Sequence, residues 1–149
     1  MKEGVFMVAV PQFKKGEYLT VQKVVERSDT GAHIGSGKLD QLLASPMLLS
    51  MMIEASARLI DDRLEEDLVS VGSTYTIHHE LPTLVGETVT LKVVIESQVG
   101  STIVLSMEAY DETGLIGTGS CERHIASQEV MVKKAEQRIE AYRAGHGLK

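Results

Sequence analysis

The sequence predicts a single α+β domain in which an antiparallel sheet of about five strands curves around one buried helix. Two observations lead to this expectation: an almost uniformly apolar helix follows a short first strand, and four later segments alternate between apolar and polar residues. Nothing else in the chain is large enough to cover the helix, and leaving its surface in water would cost about 25 cal/mol per Å². With 149 residues the chain has the size of one domain, so we assign residues 1–149 to it.

Composition and charge exclude several classes of protein. Hydrophobic residues make up 43% of the chain and charged residues 24%, as in globular proteins and unlike disordered or membrane-spanning chains. A net charge of −6 disfavours binding to nucleic acid or to anionic membranes. The single cysteine, Cys121, excludes a disulfide within the chain, and the apolar run at residues 5–10 is too short for a signal peptide. We therefore expect a cytoplasmic protein.

The central helix is predicted to begin at Ser45 and Pro46, because serine caps free amides and proline has no amide to leave unpaired. A first strand at residues 18–25 and a glycine-bearing loop at residues 28–37 precede it. Apolar side chains are spread around nearly the whole helix: Met47, Leu48, Leu49, Met51, Met52, Ile53, Ala55, Ala57, Leu59 and Ile60. The one polar stripe consists of Ser50, Glu54, Arg58 and Asp61 or Asp62. This pattern predicts a helix that is buried almost all round.

Four alternating segments follow the helix, at residues 68–79, 87–98, 102–111 and 115–126. The side chains predicted to face the core are Val69, Val71, Ser73, Tyr75, Ile77 and His79, then Val89, Leu91, Val93 and Ile95, then Ile103, Leu105, Met107 and Ala109. Turn residues between the segments favour antiparallel pairing. Helical spacing of Met131, Ala135, Ile139 and Tyr142 before Gly145 predicts a C-terminal amphipathic helix over residues 129–144.

Several short motifs fall in the same order as in a known family. They are Ala44-Ser45-Pro46, Glu54, Gly72-Ser73, His79, the residues Pro82-Thr83-Leu84-Val85-Gly86, and Gly119-Ser120-Cys121-Glu122-Arg123. With these motifs the chain resembles the hot-dog-fold acyl-CoA thioesterases, and most closely their fluoroacetyl-CoA thioesterase branch. The resemblance implies a hot-dog homodimer with active sites at the subunit interface. It also implies hydrolysis of a short or small acyl-CoA thioester without a metal or cofactor.

The resemblance assigns catalytic roles to three residues. In that branch a threonine opens the helix, a glutamate follows eight residues later, and a histidine lies on the next strand. Ser45, Glu54 and His79 are the corresponding residues, which implies Glu54 as base or nucleophile, His79 as its polar partner and Ser45 as a positioning hydroxyl. Here the first two are nine residues apart, which on a regular helix turns them about half a circle from each other. A one-residue bulge, or a cap outside the helical rotation, would bring them together.

The chemistry of thioester hydrolysis supports the same residues. The reaction needs a base or nucleophile at the carbonyl and donors for the developing oxyanion. Glu54 is the only acid in the apolar part of the helix, where burial would strengthen it as a base. The amides at the helix N-terminus near Ser45 are candidates for the oxyanion. Gly72, Arg123 and Met47 are candidate substrate-binding residues, for close backbone approach, for an anion and for the acyl group.

Each of these residues also has a purely structural interpretation. Glu54 could pair with Arg58 one turn later, and His79 could bond a backbone carbonyl. Gly72 could mark a β-bulge, and Arg123 could lie along a solvated face. Cys121 is interpreted as a small core residue.

Alternatives to catalysis by hydrolysis stay open at this point. His78 and His79 point to opposite faces of a strand, so we expect no metal site there. One alternative function is a non-catalytic acyl-CoA-binding or sensing protein. Another is a hot-dog enoyl-CoA hydratase or dehydratase, for which Asp29 and His33 are the candidate pair.

Overall fold

The structure, a computed structural model, describes residues 10–147; the apolar run at residues 5–10 lies almost wholly outside them. The elements in chain order are β1 (Tyr18–Val24), 3₁₀ turns at Arg27–Asp29 and Gly31–His33, α1 (Ser45–Asp61), β2 (Leu68–His79), β3 (Thr88–Val99), β4 (Thr102–Asp111), β5 (Gly114–Ser127) and α2 (Gln128–Gly145). Each predicted element is present with ends that shift by at most one residue at the strands and the C-terminal helix. The glycine-bearing loop contains the two 3₁₀ turns.

The five strands form one antiparallel sheet in the order β1-β3-β4-β5-β2, and α1 packs against it. The helix buries Leu48, Met52, Ala55, Ser56 and Ile60. The alternating residues predicted to face inward from β3 and β4 are all buried, from Val89 to Ile95 and from Ile103 to Ala109. The predicted α+β fold, a sheet wrapped around a central helix with a second helix at the C-terminus, is confirmed.

Strand β2 departs from simple alternation because it carries a β-bulge. Its pairing with β5 shifts register between Gly72 and Thr74, so Ser73 is the extra residue. Before the bulge Ser70 is the buried residue, whereas Val69 is only half-buried and Ser73 is exposed. The prediction that Val69, Val71 and Ser73 face the core is therefore wrong. After the bulge Tyr75, Ile77 and His79 are half-buried, on the side that the alternation predicted.

One face of α1 is open in the single chain; it contains the predicted polar stripe, but it is wider than the predicted burial almost all round allows. Ser50, Glu54 and Arg58 are exposed on this face, and Met47 and Met51 beside them are half-buried. The burial that would strengthen Glu54 as a base is therefore absent from the single chain. None of the ion pairs among the described residues joins Glu54 to Arg58, although the two are one helical turn apart.

Helix α2 begins at the end of β5 and extends away from the sheet. Ser127 caps it, because its hydroxyl accepts a hydrogen bond of 3.2 Å from the Val130 amide. None of the helix residues is buried. In residues 10–147 no helix has the length and apolar character needed to cross a membrane.

Candidate active site

A cavity of about 470 Å³ opens beside the N-terminus of α1. The loop before the helix forms one wall, and the end of β2 with the residues after it forms the other. Its larger apolar lining residues are Ile34, Leu39, Leu42, Leu43 and Leu81. Ser45 and His79 are among its polar lining residues. The loop residues of this wall show no periodic pattern in the sequence, and their apolar side chains in a glycine-bearing segment were the available signal.

Ser45 and His79 are in direct contact, with Ser45 Oγ 2.7 Å from His79 Nδ1. Ser45 is exposed and His79 is half-buried. The N-cap is Ala44, and Ser45 is the first residue inside the helix. The prediction that Ser45 caps the helix is therefore wrong: from this position its hydroxyl turns toward β2 and meets the imidazole.

The helix amides near Ser45 are mostly occupied. The amides of Met47 and Leu48 both donate to the Ala44 carbonyl, at 3.0 and 3.1 Å, and Pro46 has no amide hydrogen. The expected set of free amides for an oxyanion is thus reduced to that of Ser45 itself, which corrects the prediction made from the helix N-terminus.

Burial lowers the pKa of the His79 imidazole, and the backbone of Leu81 raises it in part. The Nε2 atom is shielded from solvent and has no hydrogen-bond partner within 3.5 Å among the described residues. At neutral pH the ring is uncharged, because its ordinary pKa of about 6.5 is lowered further. A neutral ring that carries its proton on Nε2 leaves Nδ1 free to accept the hydrogen of the Ser45 hydroxyl.

Glu54 lies away from this pair in the same chain. It lines a second cavity, of about 290 Å³, together with Lys23, Asp29, Met47 and Met51. Nine residues of α-helix separate Ser45 from Glu54 by about 13 Å along the axis and by about half a turn. The bulge that would restore the spacing is absent, since α1 is a regular helix over both positions. The predicted acyl-lining residue Met47 belongs to the cavity of Glu54.

The residues 25–129 match the family model of the fluoroacetyl-CoA-specific thioesterases. This chain belongs to that family. The matched range contains Ser45, Glu54, His79 and Arg123, and it ends where α2 begins. The resemblance that the sequence motifs suggested is confirmed.

Several solved structures share the fold of this chain. A hot-dog-like protein from Thermanaerovibrio acidaminovorans is 31% identical, with a TM-score of 0.79, over 85% of this chain and 93% of that one. The fluoroacetyl-CoA thioesterase FlK is 25% identical, with a TM-score of 0.80, over 85% and 98%. A thioesterase superfamily member from Thermus thermophilus is 26% identical, with a TM-score of 0.77, over 86% and 96%. Among curated proteins no match is found.

Arg123 is buried, with 4% of its surface exposed. Its Nε donates to Ser70 Oγ at 2.8 Å, Nη2 to the Ser70 carbonyl at 2.7 Å, and Nη1 to Tyr75 Oη at 2.8 Å. A guanidinium with all three nitrogens bonded inside the core is not placed to bind a substrate anion. Arg123 instead joins β5 to β2 through hydrogen bonds on both sides of the bulge. No pattern in the sequence indicated Ser70 and Tyr75 as its partners.

Gly72 lies directly against Tyr75, and an added Cβ would overlap the phenol ring. The Tyr75 hydroxyl is held by Arg123, so the ring is not free to move aside. Gly72 thus adjoins the bulge and leaves room for the Tyr75 side chain, and not for the ligand that the sequence analysis considered. Cys121 is buried, as the sequence analysis expected. Burial raises the pKa of its thiol, whereas the hydrogen bond with Ser56 and the charge of Arg123 lower it in part.

We expect Gly72→Ala to lower the free energy of unfolding by about 1–3 kcal/mol, as other overpacked sites do. Chemical denaturation of Gly72→Ala, Tyr75→Ala and the double variant measures this cost. Because the clash needs the Tyr75 ring, most of the cost should disappear in the Tyr75→Ala background. An equal cost in both backgrounds would contradict this packing role.

The pair proposed for a hydratase does not assemble. Asp29 is buried in an ion pair with Lys23 at 3.2 Å and accepts the Glu26 amide at 2.9 Å. His33 is exposed at the end of its 3₁₀ turn. Within the part of the chain that the structure describes, no group of three His, Cys, Asp or Glu side chains is arranged to hold a metal ion.

Proposed function

We propose that this protein hydrolyses a short or small acyl-CoA thioester in the cavity that holds Ser45 and His79. The observation that carries the proposal is the 2.7 Å contact between Ser45 Oγ and His79 Nδ1 at an open, mainly apolar cavity. A hydroxyl within hydrogen-bond reach of a neutral imidazole is the arrangement of an activated nucleophile. Membership of a thioesterase family supports the reaction class.

In this proposal Ser45 has a larger role than a positioning hydroxyl, and its contact with His79 supports that role. His79 Nδ1 accepts the Ser45 proton while Oγ forms a bond to the thioester carbonyl carbon. The tetrahedral adduct then breaks its carbon–sulfur bond, and coenzyme A leaves as the thiol with the proton from His79. Water next attacks the acyl-serine ester, His79 transfers the water's proton to Ser45 Oγ, and the free acid leaves.

The cavity favours a neutral acyl group. Its described lining residues include one acid, Glu80, and no lysine or arginine, so the cavity would repel an acidic acyl chain. A threonine-to-serine variant of the fluoroacetyl-CoA thioesterase has been solved in complex with acetyl-CoA. A serine in this chain is therefore compatible with binding of a small acyl-CoA.

We further propose a homodimer in which Glu54 of a second copy completes the site. Strand β2 is at the edge of the sheet, where its backbone can pair with another strand, and the exposed face of α1 carries Glu54. Glu54 cannot reach Ser45 of its own chain, so it acts there only from a partner. Its carboxylate would then orient the hydrolytic water.

We also propose a cytoplasmic location. The free cysteine, Cys121, is buried, and a reduced thiol together with an acyl-CoA substrate fits that compartment.

Release of free thiol from a panel of acyl-CoAs tests the proposed function. The purified protein is expected to turn over acetyl-, fluoroacetyl- or butyryl-CoA faster than succinyl-CoA. Background rates with every member of the panel would overturn the proposal. Saturable binding without turnover would then indicate an acyl-CoA sensor, and water addition to crotonyl-CoA would indicate a hydratase.

The pH dependence of kcat/KM is expected to follow the neutral form of His79. Burial disfavours the charged imidazole, so its pKa is lowered and the ring stays active to a lower pH than an exposed histidine. The rate should be constant at neutral pH and fall only below the ordinary value of about 6.5. Measurement of kcat/KM from about pH 4.5 to about pH 8.5, a range that includes the ordinary pKa of histidine, checks this. A midpoint above the ordinary value would contradict it.

A further inference from the structure

Thr83 is a polar residue with no exposed surface, and it forms hydrogen bonds to two distant segments. Its hydroxyl donates a hydrogen bond of 2.8 Å to the Asp111 carboxylate at the end of β4. Its carbonyl accepts a hydrogen bond of 2.9 Å from the Leu43 amide in the loop before α1. Thr83 therefore connects the sheet to the segment that leads into the central helix.

The bond to the loop belongs to a short antiparallel ladder beside the candidate active site. Residues 41–43, before α1, lie against residues 83–85, after β2, and the two backbone hydrogen bonds between them are 2.9 and 3.0 Å long. Ser45 lies two residues after the first of these segments, and His79 lies four residues before the second. The two segments are thus joined both by the ladder and by the contact between Ser45 and His79.

Asp111 is a fixed acceptor for the Thr83 hydroxyl. Its Oδ1 atom accepts hydrogen bonds of 2.8 Å from both the amide and the hydroxyl of Thr113. Burial raises the pKa of the Asp111 carboxyl, but hydrogen bonds from Thr113, Thr83 and the Gly114 backbone outweigh it and lower the pKa. The carboxyl is therefore ionised at neutral pH and can only accept, so the Thr83 hydroxyl donates to it.

We propose that Thr83 is a positioning residue for thioester hydrolysis, which holds Ser45 against His79 by fixing the ladder to the end of β4. The inference rests on the function proposed for this pair. Thr83 does not line the cavity, so it acts through the two segments and not on the substrate. Loss of its hydroxyl should therefore lower kcat and change KM little, because the misplaced groups are those that react.

Steady-state kinetics with acetyl-CoA test the positioning role. Thr83→Val removes the hydroxyl and should lower kcat at least about tenfold with KM within about threefold of the wild type. Thr83→Ser restores the hydroxyl, and its kcat should stay within about threefold of the wild type. A kcat of Thr83→Val within about threefold of the wild type would overturn the proposal.

Thr113→Val is the matched control for this loss. It removes a second hydroxyl that is bonded to the same carboxylate, at 2.8 Å, but that lies outside the ladder. Its kcat should stay within about twofold of the wild type. An equal loss of kcat in Thr113→Val and Thr83→Val would show a general effect of the turn and would contradict a specific role of Thr83.

Asp111→Ala tests the same hydrogen bond from its other end, and it serves also if Thr83→Val does not fold. We expect kcat to fall in Asp111→Ala as well. If one bond carries the effect, the double variant should be no slower than the slower single variant, whereas independent effects would multiply. Multiplied losses, or an unchanged kcat in Asp111→Ala, would contradict the proposal.

Nitrogen NMR of His79 separates a failure of this inference from a failure of the proposed function. In protein labelled with ¹⁵N at histidine, the His79 signals are those that His79→Ala lacks. Wild type, Thr83→Ser and Thr113→Val should show a neutral ring with its proton on Nε2, and Thr83→Val should show a mixture of both tautomers. Identical His79 signals in wild type and Thr83→Val would refute the positioning role. A wild type that hydrolyses no acyl-CoA would overturn the proposed function, and the NMR comparison would still decide whether Thr83 holds the pair.

Discussion

His79→Ala is expected to lower kcat/KM for a short acyl-CoA by about 10²- to 10⁴-fold, the usual contribution of a general acid or base. Among the described residues the imidazole is the only group that forms a hydrogen bond with Ser45 Oγ, so we expect it to take the proton of the hydroxyl. Thiol release by the variant and the wild type, at equal protein concentration, measures the effect.

His78→Ala is the matched control for this loss. His78 adjoins His79 on β2 but points to the opposite face and is exposed, so its removal should leave the rate within a factor of about two. Binding of coenzyme A should be similar for both variants. If His79→Ala kept a rate within about tenfold of the wild type, His79 would not be the base.

Mixing two inactive variants is expected to restore activity if each site is shared between copies. Glu54→Gln and His79→Ala chains are unfolded together and refolded, so that mixed dimers form. Half of the dimers are then mixed, and each of these has one intact site of two, which gives about a quarter of the wild-type rate for a two-fold dimer. Recovery is expected because Glu54 lies half a helical turn and about 13 Å from Ser45 of its own chain.

A second mixture distinguishes shared sites from general rescue. Ser45 and His79 touch within one chain, so mixing Ser45→Ala with His79→Ala leaves every site without one of the two. This mixture should stay inactive. Equal recovery in both mixtures would indicate subunit stabilisation, and no recovery in the first would remove Glu54 of the partner from the site.

The sheet could be predicted from the sequence because β3 and β4 alternate regularly over the residues that face the helix. Val89 to Ile95 and Ile103 to Ala109 face α1 at every second residue, and burial of that face fixes the register. In β2 the same reasoning failed at Ser73, where one extra residue moves the apolar side chains to the other face. Gly72 was the available signal for this bulge, but a glycine in a strand has several explanations.

Two residues of the candidate site could be predicted from the sequence, and its geometry could be predicted only in part. The motifs identified Ser45 and His79, which the structure brings into contact. The exact start of the helix decided the orientation of Ser45, and a helix boundary moved by one residue turns a cap into a hydroxyl that faces His79. Arg123 resembled an anion contact because its bonds to Ser70 and Tyr75 come from distant segments that only the fold brings together.

The central claim is that Ser45 Oγ attacks the thioester after losing its proton to His79, and substitutions at Ser45 test it most directly. Thiol release from acetyl-CoA is measured for Ser45→Thr, which keeps a hydroxyl, and for Ser45→Ala, which removes it. We expect the threonine variant to stay within about tenfold of the wild type and the alanine variant to lose at least about a hundredfold. Wild-type turnover by Ser45→Ala would contradict the claim.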